Sequence, residues 1–306
     1  MSGSDILMIK TAKEFLQDLQ NRICGRLAQI NGDQSFSHAP KTPSQGGLSD
    51  PRVLAGTGPI EKAAVNFTHS IGASLPKAVS ESRSDLAGSP FEAVSLSVIV
   101  HPSNPFVPTT HMNLRLFIVK KEPVQWHFGG GYDLTPTYGF IKDAQHWHLG
   151  ARSSVEEEYE SMKKKCDEYF YLPHRDEQRG IGGLFFDDLA SDNFNFTFTK
   201  IEKIGESFLP LYTEIFERRR SEPFTDKNRS FQLFRRGRYA EFNLLLDRGT
   251  KYGLQSGRRV ENVLASMPPL AAWCYEYPIE KGSPEHLLTE FFLKPRDWIT
   301  PANHPT

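Results

Sequence analysis

The sequence predicts an α+β protein with a largely antiparallel sheet. Three observations carry this: an amphipathic opening helix, a central block of alternating segments, and later helical segments with few strand–helix–strand repeats. In the opening, Phe15, Leu19, Ile23, Leu27 and Ile30 recur at spacings of three and four, which lays one apolar stripe along a helix over residues 10–30. Residues 31–58 are rich in Gly, Pro, Ser and Asp without a sustained period, and read as a long loop. Val94, Leu96, Val98 and Val100 then alternate with Ser95, Ser97, Ile99 and His101. A strand sends successive side chains to opposite faces, so one face is aliphatic and the other carries Ser97 and His101. After a Pro-rich connection, His111, Asn113 and Arg115 alternate with Met112, Leu114 and Leu116 in the same way. A third strand near Gln125 to Phe128 runs into Gly129 to Gly131, read as a turn or a close-approach loop.

Ser154-Val-Glu-Glu157 and Thr199-Lys-Ile-Glu202 are capping boxes that start two helices, and Pro210 should kink the second. Arg238 to Asp247 alternates once more, as a further strand. No internal repeat is evident. The 306 residues are read as one domain spanning 1–306.

Bulk composition narrows the function. Net charge is −1, so no global field recruits nucleic acid or anionic membrane. No run approaches the ~18 apolar residues that span a bilayer, and the first residues lack signal- or transit-peptide order, so the expectation is a cytoplasmic protein. Cys24, Cys166 and Cys274 lie far apart, which excludes a CxxC zinc ribbon and a clustered iron–sulfur ligand set.

Ser97, His101, His111, Asn113 and Arg115 form the leading constellation, since neighbouring strands put these hydrogen-bonding groups on one polar face. The bland alternative is a solvated sheet face. Arg115 weighs most against that alternative, because a guanidinium fork matches a carboxylate. His101, His111, His146, His148 and His174 suggest a metal, but their spacing matches no short ligand motif; acid, base or hydrogen-bond roles are the competing reading. His146-Trp-His148 could share a strand face. Asp187 and Asp188 follow two phenylalanines; on an extended strand they point to opposite faces, and either a general base or a structural cap suits them. Arg258 and Arg259 follow Gly257 in a turn and are read as anion contacts or as surface charges, while Arg218 to Arg220 end a helix without further role.

These residues stand in motifs that resemble the oxygen-dependent coproporphyrinogen oxidase family over nearly the whole chain. The motifs are Val98-Ile-Val-His-Pro-Ser-Asn-Pro105, Pro108-Thr-Thr-His-Met-Asn-Leu-Arg115, Trp126-His-Phe-Gly-Gly-Gly-Tyr-Asp-Leu-Thr-Pro136, Arg179-Gly-Ile-Gly-Gly-Leu-Phe-Phe-Asp-Asp188, Glu241-Phe-Asn243, and Asp247-Arg-Gly-Thr250 with Gly257-Arg-Arg259. The resemblance implies a large, flat, mostly antiparallel sheet sandwiched between helices, and a homodimer with its contact at about residues 239–274. It also implies the aerobic oxidative decarboxylation of two propionates of coproporphyrinogen III, giving the vinyl groups of protoporphyrinogen IX in haem biosynthesis. His111 would be the proton donor, and Ser97, Asn113, Leu114, Arg115, Gly257, Arg258 and Arg259 would contact this tetrapyrrole. His101, His111, His148 and His174 match positions assigned to a divalent metal in some members; dioxygen would be co-substrate and no organic cofactor is expected. The resemblance leaves two rivals in place: a metal-dependent oxygenase on the same site and a non-enzymatic tetrapyrrole carrier. The anaerobic radical enzyme for the same conversion needs closely spaced cysteines, which this chain lacks.

Overall fold

The computed structural model describes residues 3–44, 46–75, 86, 88–255 and 258–300. Its centre is a seven-stranded antiparallel sheet in the order β1-β2-β3-β4-β5-β6-β9, formed by β1 (Ser37–His38), β2 (Gly47–Ala55), β3 (Ile60–Gly72), β4 (Phe91–Pro102), β5 (Thr109–Val119), β6 (Gln125–Thr135) and β9 (Gly182–Leu189). A small ladder joins β7 (Tyr171–Leu172) to β8 (Glu177–Gln178). The α+β expectation holds.

One sheet face is dry. Val94, Leu96, Val98 and Val100 of β4, with Met112, Leu114 and Leu116 of β5, are buried against Leu16, Leu19, Ile23 and Leu27 of α1 (Gly3–Ile30) and Phe198, Ile201, Ile204 and Phe208 of α4 (Phe194–Arg219). Helix α2 (Ile141–Val155) joins this layer through Trp147, whose ring packs on Tyr132 of β6. The other face is polar and is covered at one end by α5 (Asp226–Leu245). There Arg236 ion-pairs with Glu61 of β3 at 2.8 Å and donates to the Pro102 carbonyl, while the Tyr239 ring meets His101 edge-on.

Several sequence expectations change, each for a local physical reason. Residues 31–58 are no simple loop, since they contain β1 and β2. Gly47, Asp50 and Pro51 hide the strand, yet Pro51 falls where the outer ladder is interrupted between the Lys41–Ser49 bridge and the β1 pairs, so its missing N–H matters least there. Gly129 to Gly131 are the middle of β6 rather than a turn. Gly130 and Gly131 have φ of 150° and 138°, and a Cβ on either would strike a neighbouring backbone carbonyl (Asn113 and Leu184), so glycine is what lets β5 and β9 pair on both sides.

Arg238 to Asp247 is not a strand. It finishes α5, whose buried Phe231, Phe234, Arg235, Tyr239 and Phe242 follow helical spacing from a Thr225–Asn228 capping box. Both expected capping boxes are also displaced. Ser154 lies at the end of α2 and the next helix, α3 (Tyr159–Tyr169), begins after the left-handed Glu156; α4 starts at Phe194 under Asn193, whose side chain accepts the Phe196 N–H. His146 and His148 therefore sit on a helix, not on a strand face.

At the far end of the dry face, Glu92 accepts from His69 at 2.6 Å and pairs with Lys120 at 2.6 Å. The His69 hydrogen bond, aided by Lys120 and opposed by burial, lowers this carboxyl to about 2. A depressed carboxyl stabilises the fold fully above its unfolded value of ~4.3 and loses that contribution as pH falls toward the folded value. We expect Glu92→Gln to flatten the fall in urea midpoint between pH 5 and 2; parallel curves for variant and wild type would discount the pair.

Candidate active site

The polar face is assembled by register. Ser97 stands opposite Asn113, Ser95 opposite Arg115, and Ile99 opposite His111, while β3 adds Asn66 beside Ser97 and Thr68 beside Ser95. On the far side Asn113 faces Gly131, Arg115 faces Gly129, and His111 faces Asp133. His111 and Arg115 thus share one face, four residues or about 13 Å apart along β5. Leu114 does not belong with them. It is fully buried on the dry face, so its expected substrate contact is excluded for the side chain.

Arg115 is aimed by a carboxylate. Its Nη2 donates to Asp187 Oδ1 at 3.2 Å, and Arg248 Nη2 lies 3.0 Å from Asp187 Oδ2, giving an Arg–Asp–Arg bridge. Gly129 keeps space for it, because a Cβ there would lie 2.8 Å from Arg115 Nη2 and 2.9 Å from Asp187 Oδ1. Asp187 and Asp188 together oppose the single residue Gly129, a β-bulge with Asp188 in the left-handed region at φ 54°. The bulge overturns the opposite-face expectation. Asp187 meets Arg115 and Asp188 Oδ1 comes within 3.6 Å of His127 Nε2, so both carboxylates reach the polar face.

His111 is held from below. Its Nδ1 lies 3.0 Å from Asp133 Oδ1, and both Asp133 oxygens accept from Arg179 Nη2 at 2.8 Å. Burial alone would raise the Asp133 carboxyl, but the Arg179 charge and the His111 hydrogen bond outweigh it and hold the group below the usual carboxylate range. Burial likewise opposes the Arg179 charge, and Asp133 reverses the balance and raises it. The Phe170, Tyr239 and Phe242 rings surround the guanidinium at 4.0, 4.8 and 4.7 Å, closing this end of the face. The histidine consequently keeps Nε2 free of Asp133 and is oriented by a carboxylate that is itself fixed.

The strap from Arg258 through the short helix Val260–Val263 to Met267 crosses the β2–β3 side. Arg258 Nη2 donates to Ser70 Oγ at 3.1 Å, Asn66 Nδ2 donates to the Asn262 carbonyl at 3.3 Å, and Asn262 Nδ2 donates to Ser49 Oγ at 3.4 Å. Lys62 and His101 hold the other strap end through the Met267 and Ser266 carbonyls at 2.8 and 2.9 Å. Arg259 turns aside to Glu261 at 3.0 Å, and Gly257 lies outside the described residues.

The four histidines matched to a metal do not converge. His101 is buried under Tyr239, and burial, with the nearby Arg236 charge, pushes it down to about 3. His148 packs on Trp298 with its two nitrogens against the Tyr159 hydroxyl and the Ile181 carbonyl; burial, with Lys163, pushes it too to about 3. His174 pairs at the surface with Glu241 at 2.9 Å, and His111 is engaged by Asp133. Among the described residues no group of three or more His, Cys, Asp or Glu side chains is arranged to hold a metal ion, so the proposed ligand set does not fit.

Asp133, Arg179 and Arg248 were not singled out from the sequence. Asp133 was recoverable, since continuing the alternation of β6 through its glycines puts it opposite His111. Arg179 carried no such signal, because it enters from the connection after β8.

A polar sheet face bracketed by guanidiniums and carrying a braced histidine has the charge and hydrogen-bonding character that suits an anionic small molecule. A model of the coproporphyrinogen III oxidase family matches residues 11–298, and the chain belongs to that family. Its members are oxidoreductases of haem biosynthesis that act on coproporphyrinogen. Among the described residues no helix is long and apolar enough to cross a membrane.

Replacing Asp133 by Asn leaves a buried guanidinium without its counter-charge. We expect Asp133→Asn to lower unfolding free energy by roughly 3 kcal/mol in urea titrations. An effect below 1 kcal/mol would show that the ring cage alone carries Arg179.

Proposed function

We propose that this chain catalyses the aerobic oxidative decarboxylation of two propionates of coproporphyrinogen III, giving protoporphyrinogen IX. The observation that carries the reading is the placement of Arg115 and Arg258 at two sides of a floor made by Asn66, Thr68, Ser95, Ser97 and Asn113. Arg115 stands on β5 and reaches toward Asp187 of β9, while Arg258 rests on Ser70 of β3 on the other side of the floor. Guanidiniums on two sides of one floor suit a substrate that carries several carboxylates around its rim, and Arg248 adds a third beside Arg115.

Binding begins with exchange. Propionate carboxylates replace Asp187 on Arg115 or Arg248, and the strap lifts from Asn66 and Ser49 to admit the macrocycle. Asp187, released from its guanidiniums over the floor, or Asp188 at the rim, takes the proton of a pyrrole N–H, a contribution typically worth ~10²–10⁴ in rate. The electron-rich pyrrole then adds dioxygen as a peroxide. The peroxide removes a hydrogen from the propionate carbon next to the ring, and the carboxylate leaves as carbon dioxide. The electron pair of that C–H bond moves into the ring and breaks the bond between ring carbon and peroxide, the electron pair of the broken C–C bond forms the vinyl double bond, and the pyrrole nitrogen takes back its proton; two electrons thus pass to oxygen per propionate, and the departing peroxide carries the hydrogen. His111, fixed by Asp133, donates a proton to that departing oxygen. No step is routed through a metal.

A homodimer joined through residues 239–274 is part of the proposal. Leu244, Leu245, Leu254, Val260, Leu270 and Trp273 are exposed in that segment, which supports a covered apolar face there.

The proposal is tested by assaying coproporphyrinogen III with and without oxygen, before and after exhaustive chelation. Product should form only aerobically and survive chelation; activity restored by one added metal would favour the metal-dependent oxygenase. In the same assay one of Asp187→Ala and Asp188→Ala should lower kcat at least a hundredfold, and near-normal rates in both would remove the proposed base.

A further inference from the structure

We infer that Asn66 is a specificity-determining residue that lets the site distinguish the reduced macrocycle from its oxidised porphyrin. The inference rests on the proposed function and deepens it. Asn66, Ser97 and Asn113 form one unbroken cross-strand row on β3, β4 and β5, continued by Gly131 on β6. The row crosses the floor with Arg115 and Arg258 on one side of it and His111 on the other. Its side chains can all accept hydrogen bonds.

Asn66 carries the clearest vacancy. Its Nδ2 donates to the Asn262 carbonyl of the strap over a long 3.3 Å contact. Its Oδ1 is buried and, among the described residues, accepts nothing. A buried acceptor without a donor is unfavourable, so its retention calls for a cause. Lifting the strap breaks the weak Nδ2 contact and turns the amide toward whatever enters. A porphyrinogen brings four pyrrole N–H donors at its centre. The porphyrin brings two, with two bare nitrogens that would face the Asn66 oxygen as a second acceptor. An acceptor at this point therefore favours the reduced ring by a hydrogen bond gained and a repulsion avoided.

Kinetics with coproporphyrinogen III as substrate and coproporphyrin III as competitive inhibitor test this. Asn66→Leu, close in size but without an acceptor, should raise KM for coproporphyrinogen III about tenfold, as expected for one lost hydrogen bond, with kcat within twofold. The inhibition constant of coproporphyrin III should stay within twofold of wild type or tighten. Asn66→Ser, which keeps an acceptor in the row, should hold KM within threefold. If the Leu variant does not fold, Asn66→Ala serves in the same comparison. An unchanged KM in Asn66→Leu or Asn66→Ala, equal shifts in both constants, or a serine variant as impaired as the apolar one would overturn the inference. Wild-type protein that does not turn over coproporphyrinogen III would instead sink the function on which it rests, an outcome visible before any variant is made.

Discussion

The buried Arg179–Asp133–His111 chain is the interaction on which the site depends. A lone carboxylate in that position would be driven toward its neutral form, and a lone guanidinium would be costly to bury. Together, ringed by Phe170, Tyr239 and Phe242, they give His111 one orientation relative to the floor. The chain also joins β5, β6, α5 and the segment before β9, so the His111 end of the sheet and its covering helix are fixed by the same charges.

Charge also docks α5. Glu61 receives Arg229 and Arg236, Glu177 receives Arg235 and Arg238, and Glu241 receives Arg175, Arg238 and His174. Half-buried carboxylates between guanidiniums are oriented by several hydrogen bonds at once, and burial without those partners would be unfavourable. Apart from Arg179, the arginines around the site fall into two groups. Those on α5 are paired with protein carboxylates and hold the lid of the site in place. Arg115, Arg248 and Arg258 sit at the floor or rim, where the partner is a carboxylate or hydroxyl that an incoming anion can replace.

The three glycines make room at the site, and the bulge adds a residue that re-aims it. Gly129 leaves room for the Arg115–Asp187 contact, while Gly130 and Gly131 let three strands approach where side chains would collide. The extra residue at Asp187–Asp188 turns two adjacent carboxylates toward one face, which a regular strand forbids. Function here rests on local departures from regular geometry, supported by paired strands on both sides.

The sequence by itself determined the α+β class, the dry and polar faces of β4 and β5, and the grouping of Ser97, His111, Asn113 and Arg115. Alternation is a local property, and each of these strands declares it in a few residues. Tertiary structure alone decided the rest. Edge strand β2 is masked by Pro51 and Gly47, and the end of α5 imitates a strand because Ala240, Phe242, Leu244 and Leu246 alternate by chance. Whether Asp187 faces the site depends on a bulge defined by its neighbour β6. Which histidine is braced on the polar face depends on which one meets a buried carboxylate: His111 does, whereas His101 and His148 are absorbed into packing and His174 into a surface pair. Such partners lie tens of residues away in the chain, and only the folded sheet brings them within reach.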